Sequence, residues 1–137
     1  MKILTTLITA MALFVSSVIT AQEQTITATV TNVTSNQGKV SFALHNKTTF
    51  MKTPLQAASA KIVNGVSTVT FKNVVAGEYA IVCFHDKNEN DMMDFESDGM
   101  PKEDYGASNN VMSYGPPQYD NAKFLVTNKN LTLKIKF

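Results

Sequence analysis

Apolar and polar side chains alternate with a period of two along most of this chain, and that alternation narrows the folds open to it. From Gln24 to Val33, Ile26, Ala28 and Val30 fall on one face, with Thr25, Thr27, Thr29 and Thr31 on the other. Period two with β-branched residues is the mark of a half-buried strand. After Gly38 the alternation resumes, with Val40, Phe42 and Leu44 set against Ser41, Ala43 and His45. Pro54 interrupts pairing in an irregular stretch, and residues 55–60 are compatible with one helical turn. Residues 60–63 and 66–72 flank Asn64-Gly65, a pair that supplies the positive φ values of a two-residue hairpin turn. Tyr79 to His85 is apolar on both faces, which predicts a central strand covered on two sides. Phe124 to Thr127 and Leu131 to Phe137 complete the set. The pattern predicts an all-β domain, an antiparallel β-sandwich of about seven strands with one long acidic loop.

The N-terminal stretch has a different character. Lys2 precedes Ile3 to Ile19, a run without charge that is almost wholly apolar or small, and Ala21 follows. This is the layout of a secretory signal, with a cut expected between Ala21 and Gln22. It predicts a signal peptide over 1–21, a single domain over 22–137, and a periplasmic or extracellular location. As an uncleaved anchor the run is marginal for a span, and polar residues follow it at once. No membrane span is therefore expected after cleavage, and with no cysteine near the cut no lipid anchor is expected either.

The charge balance excludes one class of partner. Twelve lysines oppose eleven carboxylates, there is no arginine, and the net charge is +1. Such a chain has no electrostatic case for nucleic acid. The single cysteine, Cys83, cannot form an intrachain disulfide.

Residues 86–121 break the strand pattern and hold most of the acid. Asp86, Glu89, Asp91, Asp94, Glu96, Asp98, Glu103 and Asp104 are eight of the eleven carboxylates, against only Lys87 and Lys102. Charges so crowded repel, and an ordered loop needs something to offset them. Asp86-Lys87-Asn88-Glu89-Asn90-Asp91-Met92-Met93-Asp94 places oxygen-bearing side chains at positions one, three, five and nine, with the Met92 carbonyl at seven. Calcium takes six to eight oxygens in such loops. Asp86, Asn88, Asn90, Met92, Asp94 and Asp98 are the candidate ligands. The loop departs from an EF-hand, because position six is Asp91 rather than glycine, position twelve is Ser97 rather than glutamate, and no amphipathic helices flank it. The alternative is an ion-free turn whose Asn and Asp side chains cap its own amides.

Other chemistry is sparse. His45 and His85 both fall at strand ends, and Cys83 shares a face with His85, but zinc needs further ligands and a nucleophilic pair needs an orienting group. No phosphate-cradling glycine loop or serine elbow occurs. Tyr105, Tyr114 and Tyr119 can pin the long loop to the sandwich or stack on a ligand. Two function classes follow. One is a non-enzymatic exported module that presents a calcium-bound loop to an envelope protein or a glycan. The other is a small secreted hydrolase using loop carboxylates or His85.

Several segments taken together carry a family resemblance. They are Gly77-Glu78-Tyr79-Ala80, His85-Asp86-Lys87-Asn88-Glu89-Asn90, Asp94, the run from Gly99-Met100-Pro101 through Tyr105-Gly106 to Asn109-Asn110, and Gly115-Pro116-Pro117. In this order the chain resembles the exported bacterial domain-of-unknown-function family two-one-four-one over nearly all of its mature length. The resemblance implies a small exported β-sandwich-like domain with no assigned activity. That family usually has a glycine near Asp91, where this chain departs. The Gly-x-Tyr before an apolar strand also looks like transthyretin-like and collagen-adhesin B-type sandwiches, a likeness of fold that carries no function.

Overall fold

A computed structural model describes residues 20–111 and 114–137. The proposed signal peptide therefore lies almost wholly outside the described residues. Eight strands form: β1 (Gln24–Val30), β2 (Lys39–His45), β3 (Gln56–Lys61), β4 (Ser67–Val74), β5 (Gly77–Asp86), β6 (Tyr105–Ala107), β7 (Phe124–Val126) and β8 (Leu131–Ile135). The helical content of the described residues is a 3-10 turn at Ser108–Asn110 and a single turn, α1 (Tyr119–Ala122). One sheet has the order β4-β1-β8, and the other has the order β3-β2-β5-β6 with β7 pairing on β5.

The inward face of each alternating strand builds the core between the sheets. Ile26, Ala28 and Val30 of β1 meet Val40, Phe42 and Leu44 of β2, with Phe71, Ile81, Cys83 and Ile135 in the same cluster. Full burial of a Phe or Ile side chain stabilises by about 1.5–3 kcal/mol, so this cluster is what holds the sheets face to face. β5 is central as expected, with β2, β6 and β7 all paired to it, but it is not covered on two sides: Ile81 and Cys83 are buried in the core, while Val82 and Phe84 on the other face are half-buried. Tyr79 closes the start of β5 by donating its hydroxyl to the Val75 carbonyl four residues back, at 2.8 Å, a device common at the corners of Greek-key sandwiches.

Four further expectations change. Residues 105–107, inside the stretch expected to break the strand pattern, form β6, paired on β5 with Tyr105 opposite Phe84 and Ala107 opposite Val82. Residues 55–60 are not a helical turn: Gln56–Lys61 is an edge strand, registered on β2 with Ser41 opposite Ser59 and Ala43 opposite Ala57. Ladder pairing overrides the helix preference of its alanines. The Asn64-Gly65 turn forms with both residues at positive φ, 52° and 74°, and Val63 and Val66 exchange backbone bonds of 2.9 and 3.0 Å. Its arms then separate, because β3 joins β2 in one sheet while β4 joins β1 in the other. The turn is thus the corner between layers. Finally, the sandwich is not wholly antiparallel: β1 and β8 pair in parallel, Ile26 with Leu131 through Val30 with Ile135.

Candidate cation-binding loop

β5 delivers Asp86 to the end of the five-stranded sheet, where the chain leaves the ladder. Asp86 is fully buried. Its two carboxylate oxygens accept the backbone N–H groups of Asn90, at 3.1 Å, and Asp91, at 2.9 Å. The side chain at position one therefore organises the loop from inside. The Asn88 amide donates to Asp94 Oδ2 at 2.7 Å, and the Asn90 amide donates to Asp94 Oδ1 at 3.0 Å. The Asn88 and Asn90 side-chain oxygens accept the N–H groups of Asn90, at 3.3 Å, and Met92, at 3.0 Å. Positions three, five and nine are thus joined by side-chain bonds, and position one meets position five through its backbone N–H.

Asp91, which stands where an EF-hand has glycine, takes the left-handed conformation itself, with φ 62°, and Glu89 does the same at 57°. Asp adopts this region more readily than most residues. The sharp turn is made without glycine, and the backbone holds it under local strain.

Three residues outside the spacing pattern shape the loop. Glu103 is buried, and its carboxylate bridges the loop, accepting Lys87 N–H at 3.1 Å and Asp94 N–H at 3.2 Å. Lys39 lies opposite Asp86 in the β2–β5 register. Its ammonium stands 4.0 Å from Asp86 Oδ2 and bonds to Asp91. The Asp91 bond is the main cause that holds the Lys39 pKa above its ordinary value. Gly38 presses its backbone onto the loop's first residues: an added Cβ would stand 2.2 Å from the Asp86 carbonyl oxygen. Glu103 is visible in the sequence only as one of many acids. Lys39 and Gly38 give no local signal at all, since the strand register brings them in.

Asp98 sits elsewhere. Residues 94–102 fold back on themselves, with Lys102 N–H donating to the Asp94 carbonyl and Phe95 bridged to Pro101. Asp98 lies at the tip, accepting the Met100 N–H at 3.0 Å. Among the described residues no three His, Cys, Asp or Glu side chains gather into a metal-holding group. The side chains that do meet are one carboxylate, Asp94, and two amides, Asn88 and Asn90, while the Asp86 carboxylate holds the backbone beside them. An all-oxygen set of the kind hard cations take needs the Asn88 and Asn90 amides turned over, which gives up their bonds to Asp94 and to the Asn90 and Met92 N–H groups.

The remaining candidates part company. His45 pairs with Ala80 and His85 with Val40, at opposite ends of the β2–β5 ladder, so the two histidines do not share a site. His85 is fully buried, its Nε2–H donating to the Gln37 carbonyl at 2.7 Å. Its Nδ1 is buried with no partner among the described residues. Burial pushes the Cys83 thiol far above its ordinary range, which makes it a core residue rather than a nucleophile. Tyr105 and Tyr119 do pin the long segment, donating to the Gly115 carbonyl and to Glu78 Oε1, each at 3.1 Å. Burial, aided by Glu78 and Asp120, pushes the Tyr119 pKa up to about 12. Tyr114 is fully exposed. No helix among the described residues is long and apolar enough to cross a membrane.

A family model described as an uncharacterized protein conserved in bacteria, DUF2141, matches residues 28–134. No curated protein and no solved structure matches the chain.

Proposed function

Since the chain belongs to the DUF2141 family, whose description names no activity, we propose from the site that it is an exported, non-enzymatic β-sandwich module. Its Asp86–Asp94 loop binds calcium and is presented to an envelope or surface partner. The observation that carries this reading is Asp86: a buried carboxylate at the first loop position that holds the Asn90 and Asp91 N–H groups, in a loop whose Asn88, Asn90 and Asp94 side chains are bonded to one another. Each Asp86 oxygen keeps lone-pair capacity beyond its one backbone bond, and the Met92 carbonyl is the remaining donor of the set. Two amides among the donors lower the ligand charge, which suits the modest affinity of extracellular sites.

The hydrolase reading finds less support. Asp86 and Glu103 are engaged by backbone amides, and the His85 ring lies in the core with Nε2 committed to Gln37. An ion-free loop is the second reading, favoured by the amide bonds of Asn88 and Asn90 to Asp94.

Thermal unfolding separates the two. Calcium at about one hundred times its dissociation constant, binding only the folded chain, adds about 2.7 kcal/mol and raises the midpoint by about ten degrees. The expected result is that rise in calcium over chelator, with none in magnesium, and its loss in Asp86→Ala. No rise at about ten millimolar calcium, well above the weak extracellular range, establishes the ion-free loop.

A further inference from the structure

Among the described residues, nothing covers the outer face of the five-stranded sheet beside the acidic loop. Strand register sets two rows side by side there: Ser59, Ser41, Phe84 and Tyr105 in one, and Ala57, Ala43, Val82 and Ala107 in the other. The β3–β2 half of this floor is therefore all serine and alanine, while the β5 half rises to Val82 and Phe84. Small side chains beside large ones make a trough, and the loops on either side raise its walls. Together they enclose a groove of about 1060 Å³.

The walls are apolar and poorly covered. Met93, Phe95 and Met100 line one side and Met51 the other, with Met51 55%, Phe95 57% and Met100 61% exposed. Large apolar side chains left open around a concave face mark an interaction surface. Three of these four are methionines, whose unbranched thioethers repack around different apolar shapes. The wall that carries Met93, Phe95 and Met100 belongs to the segment 86–104, where eight carboxylates face only two lysines of their own. Of those acids Asp91 lines the groove itself and is bonded by Lys39 from β2; Glu96 and Asp98 stand next to the lining residues Phe95 and Gly99 in the chain, and Lys52, beside Met51, adds one positive charge to the lining. An anionic occupant would meet a field of its own sign at this wall, and a cationic one is drawn to it.

We propose that this groove docks an extended polypeptide segment of a partner protein, one with bulky apolar side chains interspersed with lysine or arginine. The apolar side chains fill the Ser/Ala trough between the methionines, and the basic groups lie along the acidic wall. The inference deepens the reading of the chain as a partner-binding module and rests on that reading, but not on the cation. One bound calcium would lower the acidity of the wall without reversing it.

The test is fluorescence anisotropy on the purified chain, first in chelator and then in calcium. The probe is a short labelled peptide that alternates lysine with leucine and phenylalanine. Its counterpart has glutamate for lysine, and palmitate serves as a competitor. Saturable binding of the basic peptide is expected, at least about tenfold tighter than the acidic one and weakening as salt is added. Ser59→Trp, at an exposed floor position, fills the trough and is expected to weaken binding at least about tenfold. Met100→Ser, which shortens the wall at an exposed site, does the same to a smaller degree. Three outcomes overturn the proposal: no binding of the basic peptide, equal binding of both peptides, or binding untouched by either substitution. Displacement by palmitate at concentrations below those of the peptide also overturns it, assigning the groove to an acyl chain. Peptide binding without a calcium response strikes only the cation reading, and a calcium response without peptide binding strikes only this one.

Discussion

Phe71 in β4 and Asp86 at the end of β5 are equally inaccessible, 1% and 0% exposed, yet they hold their surroundings by different means. Phe71 packs among side chains from both sheets and its partners are interchangeable apolar surface. Asp86 holds two particular backbone N–H groups, those of Asn90 and Asp91, and through them the turn that follows it. The framework is thus stabilised by area removed from water, which is cooperative and non-directional. The acidic segment is stabilised by directional bonds from Asp86 and Glu103, each local to a few amides. The sheets should therefore melt as one unit, and the loop should be tunable without unfolding them.

The largest effect is expected where the framework itself is cut. Phe71→Ala removes a fully buried ring and leaves a cavity, at a cost of about 3–5 kcal/mol. That corresponds to a midpoint lower by about fifteen degrees or more. Calcium, if the loop takes it, should still raise the midpoint of this variant by a similar increment, because the loop's donors are untouched. A calcium response that vanishes along with the ring would show that the two regions are not separable.

Gly38→Ala tests the seam between them. Gly38 has φ +74°, and a Cβ there would strike the Asp86 carbonyl oxygen and, at 2.7 Å, the Lys87 Cα. Both obstacles are backbone, so something must move. A loss of about 3 kcal/mol is expected, and, unlike Phe71→Ala, the variant should also lose the response to calcium. Differential scanning calorimetry with and without calcium reads both effects.

The same contrast explains what was legible in the sequence. Alternation reports a strand's own two faces, so Ile26, Ala28 and Val30, Phe42, and Ile81 with Cys83 read out directly as core. It does not report partners. The parallel pairing of β1 with β8 joins residues more than a hundred positions apart and leaves no local mark. Gln56–Lys61 reads as helix-compatible because its composition is, and only its place beside β2 makes it a strand. In the loop, Asp86, Asn88, Asn90 and Asp94 are legible because their spacing is itself the geometry. Glu103 is not, because it reaches the loop from the far arm, sixteen residues beyond Lys87. Asp98 shows the converse: it flanks the last ligand position in sequence without occupying it, and the fold-back of 94–102 carries it to a tip, where it caps Met100.

Asp86→Ala falls next in size. It frees the Asn90 and Asp91 N–H groups, which water can reach once the carboxylate is gone, at a cost of about 1–2 kcal/mol. The sandwich should remain folded by circular dichroism while the calcium increment disappears entirely. Glu103→Gln is milder, about 1 kcal/mol, since the amide oxygen still accepts one of the two bonds. Amide hydrogen exchange should then rise at Lys87 or Asp94 and stay unchanged in β1 and β2. Faster exchange in those strands as well would mean that the loop and the framework open together.

The smallest effect concerns a second loop, whose anchor is neutral instead of charged. His45 is buried at the end of β2, its Nδ1–H donating to the Thr49 carbonyl at 2.9 Å and its ring set edge-on to Phe50, 5.7 Å between centroids. Burial lowers its pKa, against a smaller raising effect of the Thr49 carbonyl. The fold therefore favours the uncharged ring, and the unfolded chain binds the proton more readily. Stability from this group is complete above the unfolded value of about 6.5 and declines as pH falls through that value towards the lower folded one. Denaturant midpoints measured from pH 8 to 5 should fall less steeply in His45→Gln than in the native chain. Because His45 anchors the loop that carries Met51 to the groove, the same acidification should loosen peptide binding before it touches the midpoint of the sheets. Parallel pH profiles for the two chains would remove His45 as the cause. The loop after β2 would then depend, like the sheets, on packing rather than on the charge state of its anchor.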